Sequence, residues 1–194
     1  MLFNTLANLR VLIAVDPTRA QAMLDRLIAY LRATLSASRS QAHALAAEFE
    51  RVDDFLSLMG VRMGDRLCSR LDLPQALRDL PVPPLLLQPL VENAVKHGLE
   101  PKVEGGRIDV SAVRDGPWLH LTVRDTGVGL GSAAPAIGGE AAAVPPTTFG
   151  LSQVRERLQV LYGDRATLTL HAAADAEGGV LARITLPLDA PPPP

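Results

Sequence analysis

The stretch Val82-Pro83-Pro84-Leu85-Leu86-Leu87-Gln88-Pro89-Leu90-Val91-Glu92-Asn93-Ala94-Val95-Lys96-His97-Gly98 decides the reading of this chain. A proline-punctuated connection, Pro74 to Pro84, gives way to a predicted buried helix over Leu85 to His97, stopped at Gly98 as a C-terminal glycine stops a helix. Asn93, Lys96 and His97 are three and four residues apart, so they share a face and present an amide oxygen, an ammonium and an imidazole together. An amide oxygen suits the hard cation Mg²⁺, and a lysine suits phosphate oxygens. Taken alone the pattern is weak, because most polar helix faces are simply solvated. Glu92 points about 100° away around the helix and is spaced to pair with Lys96 at i,i+4.

Downstream, Ile108, Val110 and Ala112 alternate, Asp115-Gly116-Pro117 turns, and Leu119, Leu121 and Val123 alternate again, which predicts a β-hairpin ending at Asp125. There Asp125-Thr126-Gly127-Val128-Gly129 sets a carboxylate among glycines. Glycines let a ligand approach the backbone, and the carboxylate can accept from an exocyclic amine such as adenine's. An ordinary turn is an equally good account of this motif by itself. Leu130 to Thr147 is rich in Ala, Gly and Pro without periodicity and reads as a loop. After it, Phe149-Gly150-Leu151 opens a helix running to Tyr162, and backbone amides at such a start can hold phosphate. Gly163 closes that helix. Thr167 to His171 and Val180 to Leu186 form a last strand pair across Asp175 to Gly179, and Pro191 to Pro194 is a disordered tail.

Upstream, a third amphipathic segment runs from about Leu45 to Arg66, followed by a short strand over Leu67 to Leu73. The polar run Ser36 to Gln41 marks a domain boundary. Before it, Leu2, Phe3, Leu6, Leu9 and Ile13 form one apolar stripe and Met23, Leu24, Leu27, Ile28, Leu31 and Leu35 another, with the turn Asp16-Pro17-Thr18 between. A helical hairpin with so wide a stripe must bury it, either by self-association into a four-helix bundle or against the rest of the chain. The expected architecture is α+β: a helical hairpin over 1–40, read as the dimerisation element, a mixed helix-and-sheet domain over 41–190, and the tail 191–194.

The chain has 194 residues, 47% of them hydrophobic, which is ample for a packed core. Its net charge of −2 leaves no basic footprint for nucleic acid. A single cysteine, Cys68, excludes an intrachain disulfide and fits a reducing cytoplasmic setting. No apolar run is long enough to span a membrane, so no direct membrane contact is expected of this segment.

The order of these features closely resembles the Bergerat ATP-binding fold, a two-layer α/β sandwich with a mixed sheet. The match narrows to the LytS/YesM-type sensor histidine kinases. Val82 to Gly98 looks like that family's asparagine box nearly residue for residue; Val154-Arg155-Glu156-Arg157-Leu158 and Leu161-Tyr162-Gly163 resemble its next helix. Leu2-Phe3-Asn4-Thr5-Leu6 looks like the segment directly after the phospho-accepting histidine. The resemblance implies that Asn93 ligates the Mg²⁺ of Mg·ATP and Asp125 accepts from the adenine amino group. Gly127 and Gly129 would leave room for the nucleotide, Lys96 and His97 would lie near the phosphates, and the Phe149-Gly150-Leu151 amides would meet them. It further implies a homodimer, transfer of the γ-phosphoryl group to a histidine and then to an aspartate of a response regulator, and a membrane-anchored parent protein. Glu92 could help activate the acceptor.

Two departures bear on this. The residue where the phospho-acceptor should stand precedes Leu2, and Met1 occupies the position just after it; His43, His97, His120 and His171 lack the family's following residues. Where the family often has Gly-x-Gly-x-Gly, this chain has Pro146, Thr148 and Gly150. The competing readings are an ATP-hydrolysing relative of the fold, and a non-catalytic nucleotide-sensing or dimerisation module. Against hydrolysis, the helical turn before Asn93 carries Pro89, which cannot activate water.

Overall fold

The computed structural model describes residues 42–130 and 149–189, together with 9–11, 13–18, 20, 21, 23–25, 27 and 28 of the N-terminal part. The predicted loop beyond Leu130, the Ser36 to Gln41 boundary, the Leu2 to Leu6 segment, Leu31, Leu35 and the proline tail lie outside these residues. In chain order the elements are β1 (His43–Ala44), α1 (Leu45–Met63), β2 (Leu67–Asp72), β3 (Pro81–Val82), α2 (Leu87–Asn93, continued by a π-helical turn over Ala94–Leu99), β4 (Gly106–Asp115), β5 (Trp118–Asp125), α3 (Phe149–Tyr162), β6 (Thr167–Ala172) and β7 (Val180–Pro187).

Five strands form one mixed sheet in the order β2-β4-β5-β7-β6, with β2 parallel to β4 and the other pairs antiparallel. Strand alternation explains the layering. Ile108, Val110 and Ala112 of β4, Leu119, Leu121 and Val123 of β5, and Ala182, Ile184 and Leu186 of β7 are all buried. The helices cover that face: α1 packs on α2 and β2, and α3 packs on α2 and β6. Along α1 the buried residues Leu45, Phe49, Val52, Phe55, Leu56, Met59 and Met63 recur at helical spacing, which places the expected stripe against the sheet.

The described positions within 9–15 and 17–28 are helical on either side of Asp16, whose carbonyl accepts the Ala20 N–H at 3.0 Å. The helical run is thus interrupted at Asp16, with Pro17 and Thr18 already in the second helix. The stripe is divided: Leu9, Ala20, Met23 and Leu27 join the main cluster of buried side chains, whereas Val11, Ile13, Val15, Leu24 and Ile28 are exposed.

One expectation fails in detail. The helix does not stop at Gly98 but widens into π-helical geometry and runs to Leu99, ending where Glu100 N–H bonds Val95 C=O at 2.8 Å. Gly98 lacks a side chain for a packing reason: a Cβ there would lie 2.7 Å from Asp125 Oδ1. The wider turn also loosens the face that α-helical spacing would give Asn93, Lys96 and His97.

The start of α2 is fixed from α1. Glu48, 1% exposed, accepts the N–H groups of Leu85 (2.8 Å), Leu86 (2.8 Å) and Leu87 (2.9 Å). A helix leaves its first amides without intrahelical partners, and a carboxylate satisfies them while matching the helix dipole. Behind it, Arg51 Nη2 lies 2.6 Å and His43 Nε2 2.9 Å from Glu48 Oε1. Burial pushes the Glu48 carboxyl up, but hydrogen bonds from His43, the Leu87 amide and Arg51, with Arg51's charge, outweigh it and hold the pKa at about 2. A depressed folded-state pKa contributes stability that is complete above the unfolded value and lost on acidification. Unfolding free energy is therefore expected to fall by on the order of 3 kcal/mol between pH 4.5 and about 2, and a Glu48→Gln variant should lack that component in pH-resolved chemical denaturation.

Candidate functional site

The site forms where the end of α2 meets the end of the β4–β5 hairpin. Gly127 approaches Gly98 so closely that a Cβ on Gly127 would stand 2.3 Å from the Gly98 carbonyl carbon and 2.4 Å from its Cα. Val128 N–H then donates to Gly98 C=O at 3.0 Å, tying hairpin to helix through backbone alone. Gly127 thus answers first to this backbone contact. Gly129, half-buried with φ of 78°, takes the left-handed conformation that favours glycine.

Asp125 sits inside this crossing, 3% exposed. Its Oδ1 accepts Gly127 N–H at 2.9 Å. On the opposite side Gly179 of the β6–β7 turn presses on the Asp125 backbone, where a Cβ would meet the Asp125 carbonyl oxygen at 2.0 Å. Thr126 locks the next peptide: its Oγ1 accepts Arg107 N–H at 2.9 Å, its N–H donates to Arg107 C=O at 3.1 Å, and its carbonyl accepts Lys102 Nζ at 2.6 Å. Burial raises the Asp125 pKa, partly countered by the Gly127 and Val180 amides and by the charges of Arg124 and Lys102. A desolvated carboxylate held in a glycine cleft is a strong, directional acceptor for an N–H donor.

Asn93, the last residue of α2 proper, is partly exposed, and Lys96 and His97 on the π-turn are exposed. Glu92 accepts from Gln88 Nε2 at 2.7 Å, one turn toward the N-terminus. The first turn of α3, opened by Phe149, comes against α2: a Cβ on Gly150 would touch Pro89 Cβ at 3.3 Å, and Leu151 is buried. Along α2 and its π-turn, Gly150 thus lies against Pro89 near the start and Asp125 against Gly98 near the end, with Asn93 between them in the chain.

Among the described residues no group of three or more His, Cys, Asp or Glu could hold a metal. A divalent cation would depend on the Asn93 amide oxygen plus oxygens brought by a ligand. That donor set fits Mg²⁺, which keeps waters and phosphate oxygens rather than entering an all-protein cage.

The sequence reading missed Glu48, His43, Arg51, Lys102 and Thr126. A signal for Glu48 existed: it stands on the apolar face of α1, three residues from Leu45 and four from Val52, where an acid must have a buried partner. Arg51 was legible too, as an i,i+3 partner for that acid, whereas Lys102 and Thr126 are joined only through the fold.

The chain matches the histidine kinase family model over residues 1–67 and the model of histidine kinase-, DNA gyrase B- and HSP90-like ATPases over residues 84–190. It is 31% identical over 168 residues to the sensor protein LytS of Staphylococcus haemolyticus (strain JCSC1435), covering 86% of this chain and 29% of that protein. Against the sensor histidine kinase YpdA of Escherichia coli (strain K12) the identity is 31% over 163 residues, covering 84% and 28%. The chain thus spans under a third of the length of these curated relatives. Among solved structures, the histidine kinase domain of the blue-light activated histidine kinase of Erythrobacter litoralis EL346 aligns with a TM-score of 0.53 at 17% identity, covering 95% of this chain and 86% of that one. The catalytic domain of histidine kinase ThkA aligns with a TM-score of 0.52 at 20% identity, covering 75% and 94%.

Because the Gly98–Gly127 approach leaves no room for a methyl group, Gly127→Ala is expected to destabilise the fold by about 1–3 kcal/mol, as overpacking does. Thermal denaturation checks this, with Gly60→Ala, on α1 where nothing lies within 4 Å and φ is not positive, as the control expected not to destabilise.

Proposed function

Because the chain belongs to the family of histidine kinase-, DNA gyrase B- and HSP90-like ATPases, we propose that it is the ATP-binding catalytic part of a two-component sensor histidine kinase. The observation that carries this reading is the buried Asp125 carboxylate lying against Gly98 of the helix that bears Asn93. In this reading Asp125 accepts from the adenine amino group, Gly127 and Gly129 line the base, and Asn93 holds Mg²⁺ against the phosphates. Lys96, His97 and the α3 start at Phe149, Gly150 and Leu151 face the phosphate chain. Bound Mg²⁺ would neutralise charge on the phosphate oxygens as the terminal group departs.

The γ-phosphoryl group passes to a histidine of the kinase dimer and then to an aspartate of a response regulator. Catalysis of this kind is mostly positioning and charge neutralisation. Residues 1–40 serve as the dimerisation hairpin and 41–190 as the nucleotide domain. The exposed apolar side chains Val11, Ile13, Val15, Leu24 and Ile28 support a role in self-association. No described helix is long and apolar enough to cross a membrane; in this reading the parent protein is membrane-anchored. The geometry favours phosphotransfer over hydrolysis: Pro89, one turn before Asn93, packs on Gly150 and offers no group to activate water.

Calorimetric titration with ATP tests the site. Asn93→Ala is expected to remove most of the Mg²⁺-dependent part of the affinity. Asp125→Asn should weaken binding with or without Mg²⁺ by about tenfold or more, the value of a hydrogen bond to a charged group. Unchanged affinity in both variants would remove the assignment.

The 194-residue chain alone is expected to take no label from γ-labelled ATP. His43 is held by Glu48 and Arg51, and His120 Nδ1 bonds Thr185 Oγ1 at 3.1 Å on the sheet, so neither can be presented in line with a phosphate. His97, which faces the phosphates in this reading, is a binding residue and not an acceptor, and without a histidine held in line for attack the advantage of orientation, on the order of 10⁵ M or more, is lost. Acid-labile label on His43, His97, His120 or His171 would contradict this.

A further inference from the structure

We propose that Glu48 is a positioning residue for Asn93: by holding the amides of Leu85, Leu86 and Leu87 it sets where α2 begins, and so where Asn93 meets a metal-bound phosphate. The inference rests on the reading of Asn93 given above and adds to it a residue on a different helix.

α2 is short. Seven residues separate its first position, Leu87, from Asn93 inclusive, so a shift of its start cannot be absorbed along its length before reaching Asn93. The start itself is unfavourable for the chain. Leu85 has φ of 61°, the one positive value at a non-glycine among the described residues, and such a conformation persists only where its surroundings impose it. Pro83 and Pro84 precede it and have no N–H to donate. The constraint comes from two sides. Glu48 on α1 takes all three amides from Leu85 to Leu87, and Arg157 on α3 donates to the Pro84 carbonyl. α3 touches α2 again through Gly150 and Pro89.

The carboxylate has its own supports. His43 and Arg51 flank it, and His43 lies in β1, paired with Val82 of β3 immediately before the two prolines. The strand pair and the carboxylate thus grip both ends of the Val82 to Leu87 turn. An apolar side chain at position 48 would simply extend the stripe of Leu45, Phe49 and Val52; it could not satisfy three buried amides. A carboxylate there does what packing cannot: it fixes a backbone.

A merely structural role predicts loss of stability and a uniform loss of binding. A positioning role predicts a selective effect on the contact that Asn93 makes. The discriminating quantity is the ratio of ATP affinity in Mg²⁺ to that in EDTA, with adenosine affinity reporting on the Asp125 corner. Glu48→Gln is expected to lower that ratio by about tenfold, the scale seen for outer-shell partners of metal ligands, while adenosine affinity stays within about twofold. Adding Leu85→Gly should restore most of the ratio, because glycine adopts positive φ without being held there. Should the glutamine variant not fold, Glu48→Asp, which keeps the charge but cannot span all three amides, carries the same test. The proposal is overturned if the ratio is unchanged, if adenosine affinity falls in step with it, if Leu85→Gly restores nothing, or if neither position-48 variant folds, which would make Glu48 a folding residue only. A wild-type chain without any Mg²⁺-dependent increment would instead overturn the Asn93 reading, and this inference with it.

Discussion

Two backbones meet without a side chain between them where Gly98 crosses Gly127, and the candidate site depends on that crossing. A helix end and a hairpin end approach to a distance that excludes even a methyl group, and the Val128 amide bonds across the gap. The approach buries the Asp125 carboxylate, aligns it with the Gly127 amide, and brings it beside the helix that carries Asn93. Burial costs the carboxylate hydration, which is why its pKa rises. A group held in an unfavourable state by its surroundings is typical of sites built for a ligand rather than for stability.

The same helix is constrained at its other end by a different device. There the Glu48 carboxylate satisfies the amides that the helix cannot, and the left-handed Leu85 turns the chain into it. The two ends of one short helical segment therefore carry opposite electrostatics. Glu48 gains charged partners and stays ionised far below its ordinary range, whereas Asp125 loses solvent with only partial compensation. Between them lies Asn93, a neutral donor whose usefulness depends wholly on where the two ends place it.

The strands, the β4–β5 and β6–β7 pairs and the covering helices were legible because strand and helix periodicities are local properties, and Ile108 to Val123 alternates as plainly in sequence as in burial, whereas the β2–β4 and β5–β7 pairings join strands distant in sequence and were not. Asp125 and Asn93 were legible as a pair only through the order of motifs, since neither spacing nor composition brings them together. The π-turn was not legible: Gly98 looked like a helix stop, and its true reason, the Asp125 carboxylate beside it, comes from a strand distant in sequence. Glu48 was hidden for the same reason. Its partners lie some forty residues away at Leu85 to Leu87, and the local sequence shows only an acid on an apolar face.

In the proposed reading, nucleotide binds at the crossing of α2 and the β4–β5 hairpin. Backbone amide resonances recorded during titration with a non-hydrolysable ATP analogue and Mg²⁺ test it most directly. Asn93, Gly98, Asp125, Gly127, Gly129 and Gly150 are expected to shift together with one saturating isotherm. Stationary signals at those residues, with shifts instead on the open sheet face around Arg107 and Arg124, would contradict it.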